Sequence, residues 1–70
     1  MARITLAAAR VNKGYTQMDA AKKLGVSVST LKNWEKGCYF PKQPQIEKLC
    51  TLYGLTYDDI IFLSHKLALS

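Results

Sequence analysis

Apolar residues recur along this chain at intervals of three and four, the spacing of one helix face, and nowhere in the sustained alternation of a strand. Gly14, Gly25, Gly37 and Gly54 punctuate the pattern into five short segments. The first, from about Ile4 to Lys13, carries Leu6, Ala9, Arg10 and Lys13 along one face. The second opens at Thr16, whose hydroxyl and the Asp19 carboxylate make a capping-box-like pair, with Met18, Ala21 and Leu24 as its apolar face. The third is capped by Ser27 and turns Val28, Leu31 and Trp34 inward. Cys38 to Pro44 holds both prolines and reads as a loop; the fourth segment then brings in Ile46, Leu49, Cys50 and Tyr53. Thr56 with Asp59 repeats the capping pattern and predicts a fifth helix carrying Tyr57, Ile60, Ile61 and Leu63, fraying toward Ser70. The expected architecture is all-α, a compact bundle of five short helices.

The most constrained stretch is Gln17 to Trp34, QMDAAKKLGVSVSTLKNW. Two short helices joined by Gly25-Val26-Ser27 cannot be collinear, because the glycine permits positive φ and the chain turns sharply. Ala21 stands at the crossing, where a small side chain lets two backbones approach, and Leu24, Val26, Leu31 and Trp34 are spaced to bury. The unit is a helix-turn-helix over about residues 17–36, within one domain spanning 1–70 with its core over about 4–63.

The third helix buries Leu31 and Trp34, so the helical period fixes its outer face as Ser29, Lys32, Asn33 and Lys36, with Ser27, Val28 and Thr30 around its first turn. Asn pairs bidentately with adenine, Ser and Thr donate or accept, valine packs on a thymine methyl and lysine reaches guanine or phosphate. Gln17 opens the second helix, where the dipole and free N–H groups favour a phosphate. Thr16 beside it reads as a cap and secondarily as a phosphate ligand. Lys36, Tyr39 and Lys42 flank the loop after the third helix as a backbone-contacting rim, with Phe40 as an apolar plug. The expected base-reading set is Gln17, Ser27, Val28, Ser29, Lys32 and Asn33; the expected phosphate set is Thr16, Lys36, Tyr39 and Lys42.

The sequence resembles the Cro/repressor-type (lambda-repressor-like, XRE) helix-turn-helix regulators of phages and bacteria over about Leu6 to Ile61. The resemblance rests on Arg10, Gly14-Tyr15-Thr16-Gln17, Ala20-Ala21, Leu24-Gly25-Val26-Ser27, Leu31, Glu35-Lys36-Gly37, Pro41 and Leu55-Thr56. It implies a five-helix domain that binds operators as a dimer and reads bases with its second motif helix. It also implies that Gln17 clamps the DNA backbone and braces a recognition-helix side chain, and that Arg10 and Glu35 form a structural salt bridge. Lys13 and Cys50 depart from the pattern, at positions more often apolar and small respectively.

Composition narrows the alternatives. Seventy residues, 49% hydrophobic and 21% charged, make one folded domain of modest stability. Ten Lys and Arg against five Asp and Glu give a net charge of +5, which favours an anionic partner, nucleic acid before a membrane surface. No stretch has the length of a membrane span, and the start lacks the apolar run of a secretory signal, so a cytoplasmic protein is expected, in a bacterium or a phage-infected host. Cys38, Cys50 and His65 are scattered, which predicts reduced thiols and no metal. No cofactor, small-molecule ligand or enzyme activity is expected, for there is no triad, buried carboxylate pair or phosphate loop, and nothing in the spacing supports a catalytic Cys38–His65 pair.

These readings converge on a sequence-specific double-stranded DNA-binding transcriptional regulator, a phage or bacterial repressor. An antitoxin or restriction-control protein on the same fold, or a bridging protein-interaction module, are the alternatives. The segment Ile60 to Leu69 carries more apolar groups than one inward face needs, which predicts a homodimer through the C-terminal part.

Overall fold

The computed structural model describes residues 3–62. A two-residue strand β1 (Ile4–Thr5) leads into α1 (Leu6–Asn12), followed by α2 (Gln17–Leu24), α3 (Val28–Lys36) and α4 (Gln43–Tyr53). A single 3-10 turn, Tyr57–Asp59, then precedes a second strand β2 (Ile60–Ile61).

Side-chain caps set the helix starts. Thr5 accepts the Ala8 N–H at 3.2 Å and so begins α1 two residues later than the hydrophobic pattern suggests. Thr16 and Asp19 form a full capping box on α2, the hydroxyl accepting Asp19 N–H at 3.0 Å and the carboxylate accepting Thr16 N–H at 3.3 Å. Ser27 accepts Thr30 N–H at 3.1 Å and starts α3. Pro44 sits in the first turn of α4, where its missing N–H costs no helical bond. Between α2 and α3, Gly25 adopts φ +74°, a left-handed conformation that an L side chain rarely takes.

The core draws on all four helices and β2: Leu6 and Ala9 of α1, Ala20, Ala21 and Leu24 of α2, Leu31 and Trp34 of α3, Leu49 and Tyr53 of α4, and Ile60 of β2. Ala20 and Ala21 are buried where α2 packs on α3 and α4, and their small size sets that approach. Leu31 and Leu49 are wholly enclosed, so truncating either to Ala would cost about 2–5 kcal/mol.

Three expectations need correction. The chain is predominantly helical, but the described residues hold four α-helices rather than five. The fifth element is one 3-10 turn followed by extended Ile60–Ile61, which pairs in parallel with Ile4–Thr5 in the register Ile4↔Ile60 and Thr5↔Ile61. The Thr56–Asp59 box caps a single turn, after which two β-branched residues favour the extended backbone and Ile60 drops into the core. This pairing also explains the late start of α1. Met18 is 71% exposed rather than part of the apolar face of α2; Ala21 and Leu24 are buried as expected, together with Ala20, and Met18 falls outside the edge of that stripe. Lys13 likewise points outward, its ammonium 3.3 Å from where a Cβ would stand on Gly54 at the end of α4. The expected tail of the fifth helix beyond Phe62, including Leu63, Leu67 and Leu69, lies outside the described residues.

Candidate nucleic-acid interface

With Leu31 and Trp34 buried, α3 presents Ser29, Lys32 and Lys36 to solvent. Asn33 is half-buried on the same side, and its carbonyl accepts Cys38 N–H at 2.9 Å and Tyr39 N–H at 3.4 Å, which folds the following loop back over the end of the helix. Among the described residues no hydrogen bond engages the side chains of Ser29, Lys32, Asn33 or Lys36. Their donors and acceptors are uncommitted. Val28 is half-buried and packs against the core, which leaves part of its side chain at the helix start.

The hydroxyls of the first turn are more occupied than the sequence suggests. Ser27 Oγ accepts Thr30 N–H and lies 2.9 Å from Thr30 Oγ1, so the two hydroxyls form a pair that spans the turn. Thr30 therefore borders the outer face of α3, although it is not among the expected site residues. Thr16 is exposed, with its hydroxyl committed to the α2 cap and the Asp19 carboxylate beside it. That negative charge occupies the helix end a phosphate would otherwise favour.

Behind this face sits a brace. Arg10 Nε donates to Glu35 Oε2 at 2.8 Å and Nη2 to Oε1 at 3.4 Å, with side-chain exposures of 14% and 5%. Arg10 Nη1 also donates to the carbonyl of Tyr15 at 2.9 Å, fixing the α1–α2 turn. Gln17 Nε2 donates to Glu35 Oε1 at 3.1 Å. One carboxylate on α3 thus gathers α1 and α2. The one negative charge of α3 is turned away from its solvent face and matched by a guanidinium. Gln17 keeps its carbonyl oxygen, which among the described residues has no hydrogen bond. The contribution of the Tyr15 carbonyl is a backbone contact with no signal in side-chain identity.

Tyr53 lies close behind, 2% exposed, its hydroxyl without a hydrogen-bond partner among the described residues. Burial pushes its phenol pKa up to about 12, with the Glu35 carboxylate adding to the shift and Arg10 opposing it.

The loop from Gly37 to Lys42 closes the face. Tyr39 is 66% exposed and Lys42 is exposed at the start of α4, where its backbone N–H donates to Gln45 Oε1 at 2.9 Å. Lys32, Lys36 and Lys42 are exposed along α3 and this loop, and no Asp or Glu besides the paired Glu35 lies between Val28 and Gln45. Phe40 is largely exposed, yet its ring stacks on Phe62 with centroids 5.0 Å apart. Cys38 is an exposed free thiol, and Cys50 is a half-buried one whose pKa burial raises, with Asp59 and Glu47 adding to it. No helix among the described residues is long and apolar enough to cross a membrane.

Residues 3–60 match the model of a helix-turn-helix domain family. The HTH-type transcriptional regulator ImmR of Bacillus subtilis (strain 168) is similar, with 36% identity over 53 residues, covering 76% of this chain and 42% of that protein. The match thus spans less than half of that regulator's length.

Proposed function

This chain belongs to the helix-turn-helix domain family, in its XRE-type branch, and from that premise we propose that it is a sequence-specific double-stranded DNA-binding regulator, a phage or bacterial repressor with α3 in the major groove. The observation that carries the reading is the outer face of α3. Ser29, Lys32 and Asn33 stand with uncommitted polar groups on a helix held from behind by Arg10, Glu35 and Gln17. A rigid frame under free donors and acceptors is what discrimination between base edges requires. Ser29 and Asn33, one turn apart, read bases together with Lys32, Val28 and the free carbonyl of Gln17. Lys36, Tyr39 and Lys42 hold phosphates. Thr16, its hydroxyl accepting the Asp19 N–H, keeps only the hydroxyl's own proton to offer a phosphate beside the α2 cap.

The regulator acts as a homodimer through the segment from Ile60 to Leu69, without cofactor, as a cytoplasmic binding protein and not an enzyme. Ile60 is spent on the core and Phe62 packs against it, so within the described part of that segment Ile61, with the neighbouring Tyr57, supplies the exposed apolar surface. Sedimentation at micromolar concentration tests this: a monomer that binds DNA one-to-one overturns the dimer.

Selection of bound sequences from a random duplex library, followed by titration at several salt concentrations, tests the DNA reading. Asn33→Ala is expected to cost about 1–3 kcal/mol on the selected duplex and to relax preference at one base pair. Lys42→Ala is expected to weaken all duplexes alike and reduce the salt slope by about one. Equal weakening of selected and scrambled duplexes by Asn33→Ala would remove α3 as the reader.

A further inference from the structure

We propose that Phe62 is a positioning residue for DNA binding: through Phe40 it holds the α3–α4 loop in the conformation that presents Tyr39 and Lys42 to the phosphate backbone. The inference rests on the DNA reading above and adds a residue that does not itself face DNA.

The loop is well anchored at each end and weakly in its middle. At its start, Cys38 and Tyr39 N–H groups bond to the Asn33 carbonyl; at its finish, Lys42 N–H is clasped by Gln45. Between them, Phe40 and Pro41 have no backbone hydrogen bond among the described residues. Pro41 is buried, but Phe40 is 59% exposed and meets the rest of the molecule through an aromatic cluster. Its ring is tilted 43° to that of Phe62 at 5.0 Å, and Phe62 in turn meets Tyr57 edge-on at 5.4 Å. Offset and edge-to-face pairs of this kind add stability beyond area burial and fix relative ring orientation.

Phe62 is itself placed from the opposite end of the chain. It follows β2, which is pinned to β1 by parallel pairing and by burial of Ile60. The ring is therefore a post, placed from outside the loop, against which the loop leans. Phe40 lies next to Tyr39 and two residues from Lys42, so a shift of its backbone reorients the side chains that flank it while their N–H bonds hold. Removing the post leaves the backbone bonds at the two ends and frees the middle. The side chains of Tyr39 and Lys42, no longer backed by a fixed Phe40, then sample a wider range of orientations, which lowers the fraction of molecules that present both to phosphate.

The test is salt-dependent titration of Phe62→Ala, Phe62→Tyr and Phe40→Leu against the library-selected duplex, with a thermal melt of each. Phe62→Ala is expected to weaken binding on the order of tenfold at moderate salt. Its salt slope is expected to fall by about one, as lost phosphate neutralisation requires. Base preference is expected to stay unchanged. Phe62→Tyr keeps the ring and is expected to keep the wild-type slope. Adding Lys42→Ala to Phe62→Ala is expected to reduce the slope by no more than either change alone. A merely destabilised protein has fewer active molecules at every salt and an unaltered slope, so the slope separates the two cases. Should Phe62→Ala not fold, Phe40→Leu probes the same contact from the loop side with the same expected slope. A wild-type slope in the folded ring-loss variants overturns the proposal. Failure of the wild-type protein to prefer any duplex would instead overturn the DNA reading on which it rests.

Discussion

Arg10 and Glu35, 25 positions apart, meet through a 2.8 Å Nε–Oε2 bond that is almost shielded from solvent and ties the first helix to the third. Removing one partner strands the other charge in a partly closed site, at a cost approaching the about 3–5 kcal/mol of a fully buried pair. Arg10→Met and Glu35→Leu together should cost much less than the two single losses added, because the double variant strands nothing. Urea unfolding of the four proteins measures the coupling; additive losses would show that the pair is not an energetic unit.

Gln17 shares that carboxylate, donating to Glu35 Oε1 at 3.1 Å. Gln17→Ala removes a bond to a charged acceptor and is expected to lower stability by about 1–2 kcal/mol. Gln17→Glu should be worse at neutral pH, since it sets a second carboxylate against the first, and the difference should shrink on acidification. Melting temperatures of the two variants across pH check the order. If Gln17→Glu matches Gln17→Ala throughout, the side chain does not sit against Glu35 in solution.

Tyr53 carries a buried hydroxyl with no partner among the described residues. Tyr53→Phe should therefore raise stability at neutral pH by up to about 1 kcal/mol, as it removes a polar group that is desolvated without compensation. Its phenol titrates near 12 in the folded protein against an ordinary 10.0, so the neutral form is favoured by folding. That contribution is complete below pH 10 and is lost as pH rises toward 12. The alkaline fall in stability should be shallower in Tyr53→Phe, and identical alkaline limbs would refute this account.

Asp59 behaves oppositely. The backbone N–H of Thr56, at 3.0 Å, and its hydroxyl, at 2.9 Å, both donate to Asp59 Oδ2 and hold the carboxyl below its ordinary value of 3.8. A depressed carboxylate contributes stability above its unfolded value and loses it as pH falls through the lower, folded one. Wild-type protein should lose melting temperature below pH 3.8 more steeply than Asp59→Asn, which cannot titrate there. Parallel acid limbs would remove the turn's cap as a source of acid sensitivity.

Local chemistry was legible and long-range chemistry was not. Thr16 with Asp19, Ser27, Gly25 and Gly37 mark the ends of α2 and α3 because caps and left-handed residues act within one turn of where they stand. The outer face of α3 followed from Leu31 and Trp34 by periodicity alone. Met18 was misplaced because an apolar residue at helical spacing does not reveal on which side of a narrow stripe it falls. The last element was misread because Thr56–Asp59 signals a start equally for one turn and for ten residues. What decides between them is pairing with Ile4–Thr5 at the far end of the chain, which no local window contains. The Arg10–Glu35 contact was suggested by family resemblance, whereas the Tyr15 carbonyl and the Ser27–Thr30 hydroxyl pair needed coordinates.

The pairing of Ile4 with Ile60 also has a kinetic meaning. It closes nearly the whole described chain into one loop for the return of two residues per strand, so its entropy cost is high and its hydrogen bonds are few. Such a latch is expected to form after the helices have docked and to open before they separate, as a small cooperative unit of its own. Amide exchange at Ile60 and Ile61 should proceed through this sub-global opening, faster than at Leu31 or Leu49, whose exchange awaits global unfolding. Because Phe62 is the next residue after the latch, each opening also releases the post beneath Phe40. The molecule is thus expected to visit a state with α3 intact and the α3–α4 loop unbraced, at a frequency governed by two pairs of residues at the ends of the fold.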